Sequence, residues 1–184
     1  MGNFYCQDIG GSASIAARTG RKRPQKTAAP EALLNLTLRP GQLSDFETLY
    51  RIDRECYEPG IAYSRRTLRS FLGLRETRCW VACLGKKIVG FLVAYWEAPL
   101  GHIITIDVVE SARRCGAGSA LLALAEAEMS RSGVSRVDLE TATNNQAAIA
   151  FWSKHGYRIF AVHPRYYLER IDAYLMFKSL SSPP

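Results

Sequence analysis

The strongest chemical signal in this chain is the run Arg113-Arg114-Cys115-Gly116-Ala117-Gly118-Ser119. It follows a β-branched stretch, Ile103 to Val109, and precedes a helical one. A strand that stops at a glycine-rich turn and opens a helix builds an anion site. The first amides of the helix have no internal partner, and the helix dipole adds partial positive charge there. Gly116 and Gly118 let a ligand oxygen approach the backbone closely. Arg113 and Arg114 add fixed charge suited to phosphate. Together these residue types predict a pyrophosphate cradle; the plain alternative is an ordinary turn with two glycines. There is no Gly-x-x-x-x-Gly-Lys-Ser/Thr, so no nucleoside-triphosphate loop is expected. A third glycine placed for a dinucleotide fingerprint is also missing, although Glu140 lies at roughly the distance of that motif's acidic residue.

Periodicity and punctuation show the elements that must hold this turn. Leu36 and Leu38 alternate with Thr37 and Arg39 before Pro40-Gly41, which reads as a short strand. Ser44, with Glu47 three residues on, predicts a capping box at the start of a helix. Phe46, Leu49, Tyr50 and Cys56 share its face loosely, and Pro59-Gly60 ends it. Ser64 opens a second helix with Leu68, Phe71 and Leu72 on one side. Cys79 to Leu84 and Ile88 to Trp96 are two strands around Gly85-Lys86-Lys87, a hairpin. Gly118 to Ser132 is a helix with Leu121, Leu122, Ala125 and Met129 on one face, stopped by Gly133. Val137, Leu139 and Thr141 alternate as a strand. Asn145 to His155 is a helix ended by Gly156, and Arg158 to Val162 and Ala173 to Phe177 are closing strands. The order is strand, two helices, three strands, helix, strand, helix, two strands. It predicts an α/β fold around one central mixed sheet.

Composition bounds what this domain can be. The chain has 184 residues, 47% hydrophobic and 22% charged, which suits one packed domain and excludes wholesale disorder. No stretch approaches ~18 consecutive apolar residues, so no membrane association through a spanning helix is expected. The net charge is +7. Residues 1–30 carry five bases against Asp8, while residues 31–184 carry nineteen bases against sixteen acids. More than half of the surplus therefore sits in the first sixth of the chain. Residues 1–33 read as a basic, disordered tail and 34–180 as the domain. The tail is the sole argument for nucleic acid, and a solvated tail is the simpler reading. Met1-Gly2 lacks the Ser or Thr at position 6 that myristoylation wants, since Cys6 stands there. Five cysteines, an odd number, fit a reducing cytoplasm rather than a disulfide framework. Cys79 and Cys83 share a strand face, which suits packing better than zinc. Cys115 is expected to be a partly exposed, reactive thiol beside Arg114. His102, His155 and His163 are scattered with no metal spacing, so no metal is expected.

With these residues in place, Arg113-x-x-Gly116-x-Gly118 after a β-branched strand resembles the acetyl-CoA pyrophosphate motif of the GNAT-family N-acetyltransferases. Downstream, Asn145-Gln-Ala-Ala-Ile-Ala-Phe-Trp-Ser-Lys-His-Gly156-Tyr157 is similar to that family's second motif, Asn-x-x-Ala-x-x-x-Tyr-x-x-x-Gly-Phe. The likeness covers about residues 36–180. Leu139-Glu140, the Tyr166-Tyr167 pair and Asp172-Ala173 resemble the ribosomal-protein alanine acetyltransferase type and its archaeal relatives.

The resemblance implies acetyl-CoA as cosubstrate and a sheet whose fourth and fifth strands splay apart around the pantetheine arm. It implies that the backbone of Ile106, Asp107 and Val108 pairs with that arm like an added strand. An amide there, that of Val108, would polarise the thioester carbonyl. Arg114, Cys115, Gly116, Ala117, Gly118 and Ser119 would hold the pyrophosphate, beside Arg113. Asn145 would bond the cofactor arm. Glu140 matches the carboxylate base of the alanine-acetyltransferase type; the simpler reading is a solvated strand carboxylate, since Asp138 has the same parity. The sequence departs from the family at Trp152, where a tyrosine general acid is usual. An indole N–H donates a hydrogen bond but is no proton source near neutral pH. Either Trp152 only packs against the cofactor or another hydroxyl serves, with Tyr166, Tyr167 and Tyr157 as candidates; solvent is the favoured replacement. The acceptor cleft would be lined by 58–64, next to Tyr57, and by 163–172, with Tyr63, Arg165 and Arg170. Glu58 and Glu169 would hold a cationic amine. The implied acceptor is the N-terminal amine of a protein or peptide. A small-molecule amine, or a non-catalytic acetyl-CoA sensor, stands as the alternative. A monomer or homodimer is expected.

Overall fold

The structure, a computed structural model, describes residues 35–58 and 60–180. The basic tail read at residues 1–33 and the helix stop at Pro59 lie outside the described residues. The strands are β1 (Leu36–Pro40), β2 (Thr77–Leu84), β3 (Lys87–Glu97), β4 (Leu100–Val108), β5 (Arg136–Ala142), β6 (Arg158–Tyr167) and β7 (Ile171–Ser179). The helices are α1 (Phe46–Cys56), α2 (Arg65–Gly73), α3 (Ala117–Arg131) and α4 (Gln146–Lys154). The strands form one seven-stranded sheet in the order β1-β2-β3-β4-β5-β7-β6. Only β4 and β5 run parallel, because α3 carries the chain back between them.

Local chemistry explains most boundaries. Ser64 caps α2, its side chain accepting the Thr67 N–H at 3.0 Å. Gly133 and Gly156 follow α3 and α4 in the left-handed region, at φ 85° and 88°, where a Cβ would be strained. The start of α1 differs from the sequence reading. Leu43–Asp45 forms a 3-10 turn, and Asp45, not Ser44, closes it by accepting the Gln42 N–H at 2.8 Å. Asp45 takes that place because the Arg39 guanidinium on β1 grips its carboxylate at 2.7 and 2.9 Å. Glu47 is drawn off instead to Arg65 on α2.

Strand β3 carries the centre of the core. Ile88 to Ala94 are buried without a break, as expected for a strand covered on both faces. Helix α3 buries Leu121, Leu122, Ala125 and Met129 against the sheet. Each fully buried leucine contributes about 1.5–3 kcal/mol. Cys79 and Cys83 lie on β2, and burial pushes the Cys79 thiol up to about 12. Gly90 lets β3 approach β4 closely: a Cβ there would stand 2.6 Å from the Asp107 carbonyl oxygen and 2.9 Å from the Val108 side chain. Gly90→Ala is therefore expected to destabilise the protein by about 1–3 kcal/mol, read from urea denaturation.

The pairing of β4 with β5 is short. Leu100, Gly101 and His102 face Arg136, Val137 and Asp138, and the ladder stops there. Both strands run on, β4 to Val108 and β5 to Ala142. The sheet thus opens into a V, while β3 still holds β4 on one side and β7 holds β5 on the other.

Candidate active site

The V leaves one edge of β4 without a strand partner. The Val109 N–H donates to the Val89 carbonyl at 2.9 Å, and Val108 stands opposite Gly90. Main-chain groups alternate in direction along a strand. The register therefore turns the backbone of Asp107 toward β3 and that of Ile106 and Val108 into the V. An extended ligand can add there as a strand, through Ile106 and Val108. Asp107 contributes a buried side chain instead.

At the end of β4 the chain makes the predicted turn. Gly116, at φ 87°, occupies the left-handed region directly before α3. Its carbonyl accepts the first helical bond, from the Ala120 N–H at 2.9 Å. The amides of Ala117, Gly118 and Ser119 precede that bond, so they can serve an anion. Gly118 has a second use: a Cβ would lie 3.4 Å from the Phe151 ring, so glycine lets α3 and α4 pack closely. Arg114 is exposed, at φ 65°. Arg113 donates from Nε to the Val108 carbonyl at 3.1 Å, which holds its guanidinium against the end of β4. Cys115 is buried, its thiol donating to the Ala112 carbonyl at 2.7 Å, so the expectation of an exposed, reactive thiol is corrected. The accepting carbonyl belongs to the 3-10 turn at Glu110–Ala112. Ser119 Oγ meets His155 Nε2 at 2.9 Å, a contact the sequence reading did not anticipate. Burial holds His155 below the usual histidine range.

Asn145 caps α4, its Oδ1 accepting the Ala148 N–H at 3.0 Å. Trp152 is 5% exposed and packs edge-on against Phe151 and Tyr157. The Tyr157 hydroxyl is buried on the Glu126 side, with Lys178 over its ring, so it is removed from the V.

At the apex of the V stands a pair that the sequence reading only half found. His102 Nε2 lies 3.2 Å from Glu140 Oε2, both side chains about a quarter exposed. Tyr95 packs against His102 with ring centroids 5.5 Å apart, and burial together with Glu140 raises its phenol. Burial, Tyr166 and Glu140 likewise raise Tyr167. Tyr166 is 38% exposed and edge-on to Tyr167 at 4.8 Å. A strand reading that began at Ile103 stopped one residue short of His102. Its signal was position, because His102 is the last residue of β4 paired with β5 before the sheet opens.

Two loops wall the opening. The loop from α1 to α2 brings Tyr57 and Tyr63, and the turn from β6 to β7 brings Leu168 and Glu169 at φ 53° and 54°. They touch, because Leu168 packs on Gly60 so closely that a Cβ on Gly60 would stand 2.8 Å from its Cδ2. Arg165 and Glu169 line a hollow beside them.

A mixed sheet split at one parallel pair, with a glycine turn and helix N-terminus at the mouth of the split, is the arrangement that the resemblance to the N-acetyltransferases implied. The Acetyltransferase (GNAT) family matches residues 46–157, more than half of the chain, and the chain belongs to that family. It is an acetyl-CoA-dependent acetyltransferase. The chain is 27% identical over 144 residues to an uncharacterized N-acetyltransferase of Methanocaldococcus jannaschii, covering 78% of this chain and 91% of that protein. It is 28% identical over 152 residues to an N-alpha-acetyltransferase of Sulfurisphaera tokodaii, covering 76% and 90%. The fold is similar to that of the ribosomal-protein-S18-alanine N-acetyltransferase from Escherichia coli. The TM-score there is 0.73 at 23% identity, over 81% of this chain and 96% of that one. No helix among the described residues is long and apolar enough to cross a membrane.

Proposed function

We propose that this enzyme acetylates the N-terminal α-amine of a protein or peptide, with Glu140 as general base. The observation that carries the reading is the His102–Glu140 pair at the apex of the V. The N-alpha-acetyltransferase relatives support the acceptor class. Acetyl-CoA supplies an acetyl group activated as a thioester. The residues present fit it: the edge of Ile106 and Val108 has no strand partner, and the amides of Ala117, Gly118 and Ser119 open α3 at the same mouth. The Val108 N–H would polarise the carbonyl. Arg114 would add charge at the pyrophosphate, and Trp152 would pack rather than donate a proton.

An α-amine has a pKa of about 7.7–8.0, so a modest base suffices to make it a nucleophile. Glu140 takes its proton directly or through one water. The His102 N–H donates to the carboxylate and fixes its orientation. The departing thiol has an ordinary pKa of roughly 8.5, so solvent can protonate it. Tyr57, Tyr63, Tyr166 and Tyr167 give the acceptor an aromatic wall, which suits an extended peptide end.

A peptide panel tests this. Free CoA release is expected with peptides bearing a free α-amine, and is expected to vanish when that amine is blocked but the lysines are left free. Turnover indifferent to the block, or seen only with polyamines, would move the activity to side-chain or small-molecule amines. Acetyl-CoA binding without release across the whole panel would leave a sensor.

A further inference from the structure

Two carboxylates are buried where few are tolerated. Asp53 on α1 is 0% exposed and Asp107 on β4 is 2% exposed. Neither forms an ion pair, and Asp53 Oδ1 has no hydrogen-bond partner among the described residues. Buried charge of this kind is costly unless it holds something in place.

What these carboxylates hold is the loop between α1 and α2. Asp53 Oδ2 accepts the Tyr63 N–H at 2.9 Å. Asp107 Oδ2 accepts the Thr105 hydroxyl at 3.1 Å, and Thr105 Oγ1 in turn meets the Tyr57 hydroxyl at 3.2 Å. The Tyr63 hydroxyl donates to the Ile104 carbonyl at 3.3 Å. Both ends of the loop are therefore tied to the floor of β4, from Ile104 to Asp107. Between them, Gly60 supports Leu168 of the opposite hairpin. Leu168 sits at a positive φ that a leucine adopts only under constraint.

We infer that Asp53, Thr105 and Asp107 are positioning residues that fix the acceptor wall, setting Tyr57 and Tyr63 directly and the β6–β7 turn through Gly60 and Leu168. None of the three needs to touch the reacting atoms. A hydroxyl shared between a buried carboxylate and a buried phenol leaves Tyr57 one orientation, and the hydrogen bond from the Tyr63 N–H to Asp53 leaves Tyr63 one height above β4. The wall is then preorganised for an extended chain end, so its ordering is not charged against acceptor binding. This inference rests on the acetyltransferase reading of the V, but its structural half can be read without turnover.

The test uses the full chain with Thr105→Val, which keeps the shape and removes the shared hydroxyl, and Thr105→Ser, which restores it. Amide hydrogen exchange across residues 57–63 is expected to accelerate about tenfold in Thr105→Val, with amides of β3 and α3 unchanged and Thr105→Ser near the wild type. With a peptide acceptor, KM is expected to rise about tenfold, the loss falling on KM rather than kcat, while acetyl-CoA affinity by calorimetry holds. Asp53→Leu, near in size but without an acceptor for the Tyr63 N–H, is a second probe, expected to loosen the Tyr63 amide alone. Loop exchange equal to wild type in Thr105→Val, or acceleration spread evenly over the whole domain, would overturn the inference. If the wild type acetylates no peptide, the proposed function fails while the exchange result still decides this point.

Discussion

Glu140→Gln is expected to lower kcat roughly 10²–10⁴-fold while leaving acetyl-CoA affinity within about twofold of wild type. Glutamine keeps the shape and an acceptor oxygen for the His102 N–H, which lies 3.2 Å away in the wild type. What it loses is basicity, and the amine then has no protein group to take its proton. The residues proposed to hold the cofactor lie elsewhere, on the Ile106–Val108 edge and the turn at Gly116, so binding and chemistry are expected to separate. His102→Gln is expected to cost less, because it removes the orienting partner and not the base. The double variant should fall little below Glu140→Gln alone, since the pair acts as a unit. Steady-state kinetics with a peptide acceptor and calorimetry with acetyl-CoA make the measurement. A loss in kcat below about threefold would take Glu140 out of the role and return it to a solvated strand carboxylate.

The glycine turn proposed to hold the cofactor was legible in the sequence because its geometry is local. A β-branched strand, two glycines and a helix lie within some twenty residues, and Gly116 takes the left-handed conformation that the turn demands. The start of α4 at Asn145 was legible too, but not that its Oδ1 caps the helix by accepting the Ala148 N–H. The acceptor side was not. The His102–Glu140 contact joins two strands separated by all of α3, and only the sheet register brings them together. Cys115 was misread because the carbonyl that its thiol donates to belongs to a 3-10 turn of three residues that no periodicity marks. Ser44 was misread as a cap because the winning carboxylate, Asp45, is fixed by Arg39 from another element. The buried pair Asp53 and Asp107 runs against composition altogether: acidic residues read as surface until the strand that buries them is placed.

That pair also sets the pH dependence of stability. Burial and the neighbouring Asp53 push the Asp107 carboxyl up to about 7, and burial pushes Asp53 up to about 6, from an ordinary 3.8. The groups facing Asp107 are Asp53 and Cys56 from α1, Tyr57 from the loop that follows it, Thr105 on its own strand and Arg113 from the turn, whose opposing charge lowers it only in part. Between about pH 4 and 7 the folded state keeps protons that the unfolded chain has released. Stability from these two groups is therefore greatest at low pH, falls as pH rises through that window, and is flat above it. Asp45 works the other way. The Arg39 guanidinium holds its carboxyl below the usual range, so its contribution is lost as pH falls toward that depressed value. The two trends leave maximum stability near about pH 4, where Asp45 is already ionised and the unfolded chain has only begun to release the protons that Asp53 and Asp107 keep. Asp107→Asn keeps an oxygen for the Thr105 hydroxyl and removes the charge that burial penalises. It is expected to raise unfolding free energy above about pH 7 by on the order of 4 kcal/mol and to change it little near about pH 4. Urea denaturation at both pH values reads this directly. A wild type equally stable at the two, or an Asn variant weaker above pH 7, would mean that Asp107 is already compensated in the fold by a partner stronger than Thr105.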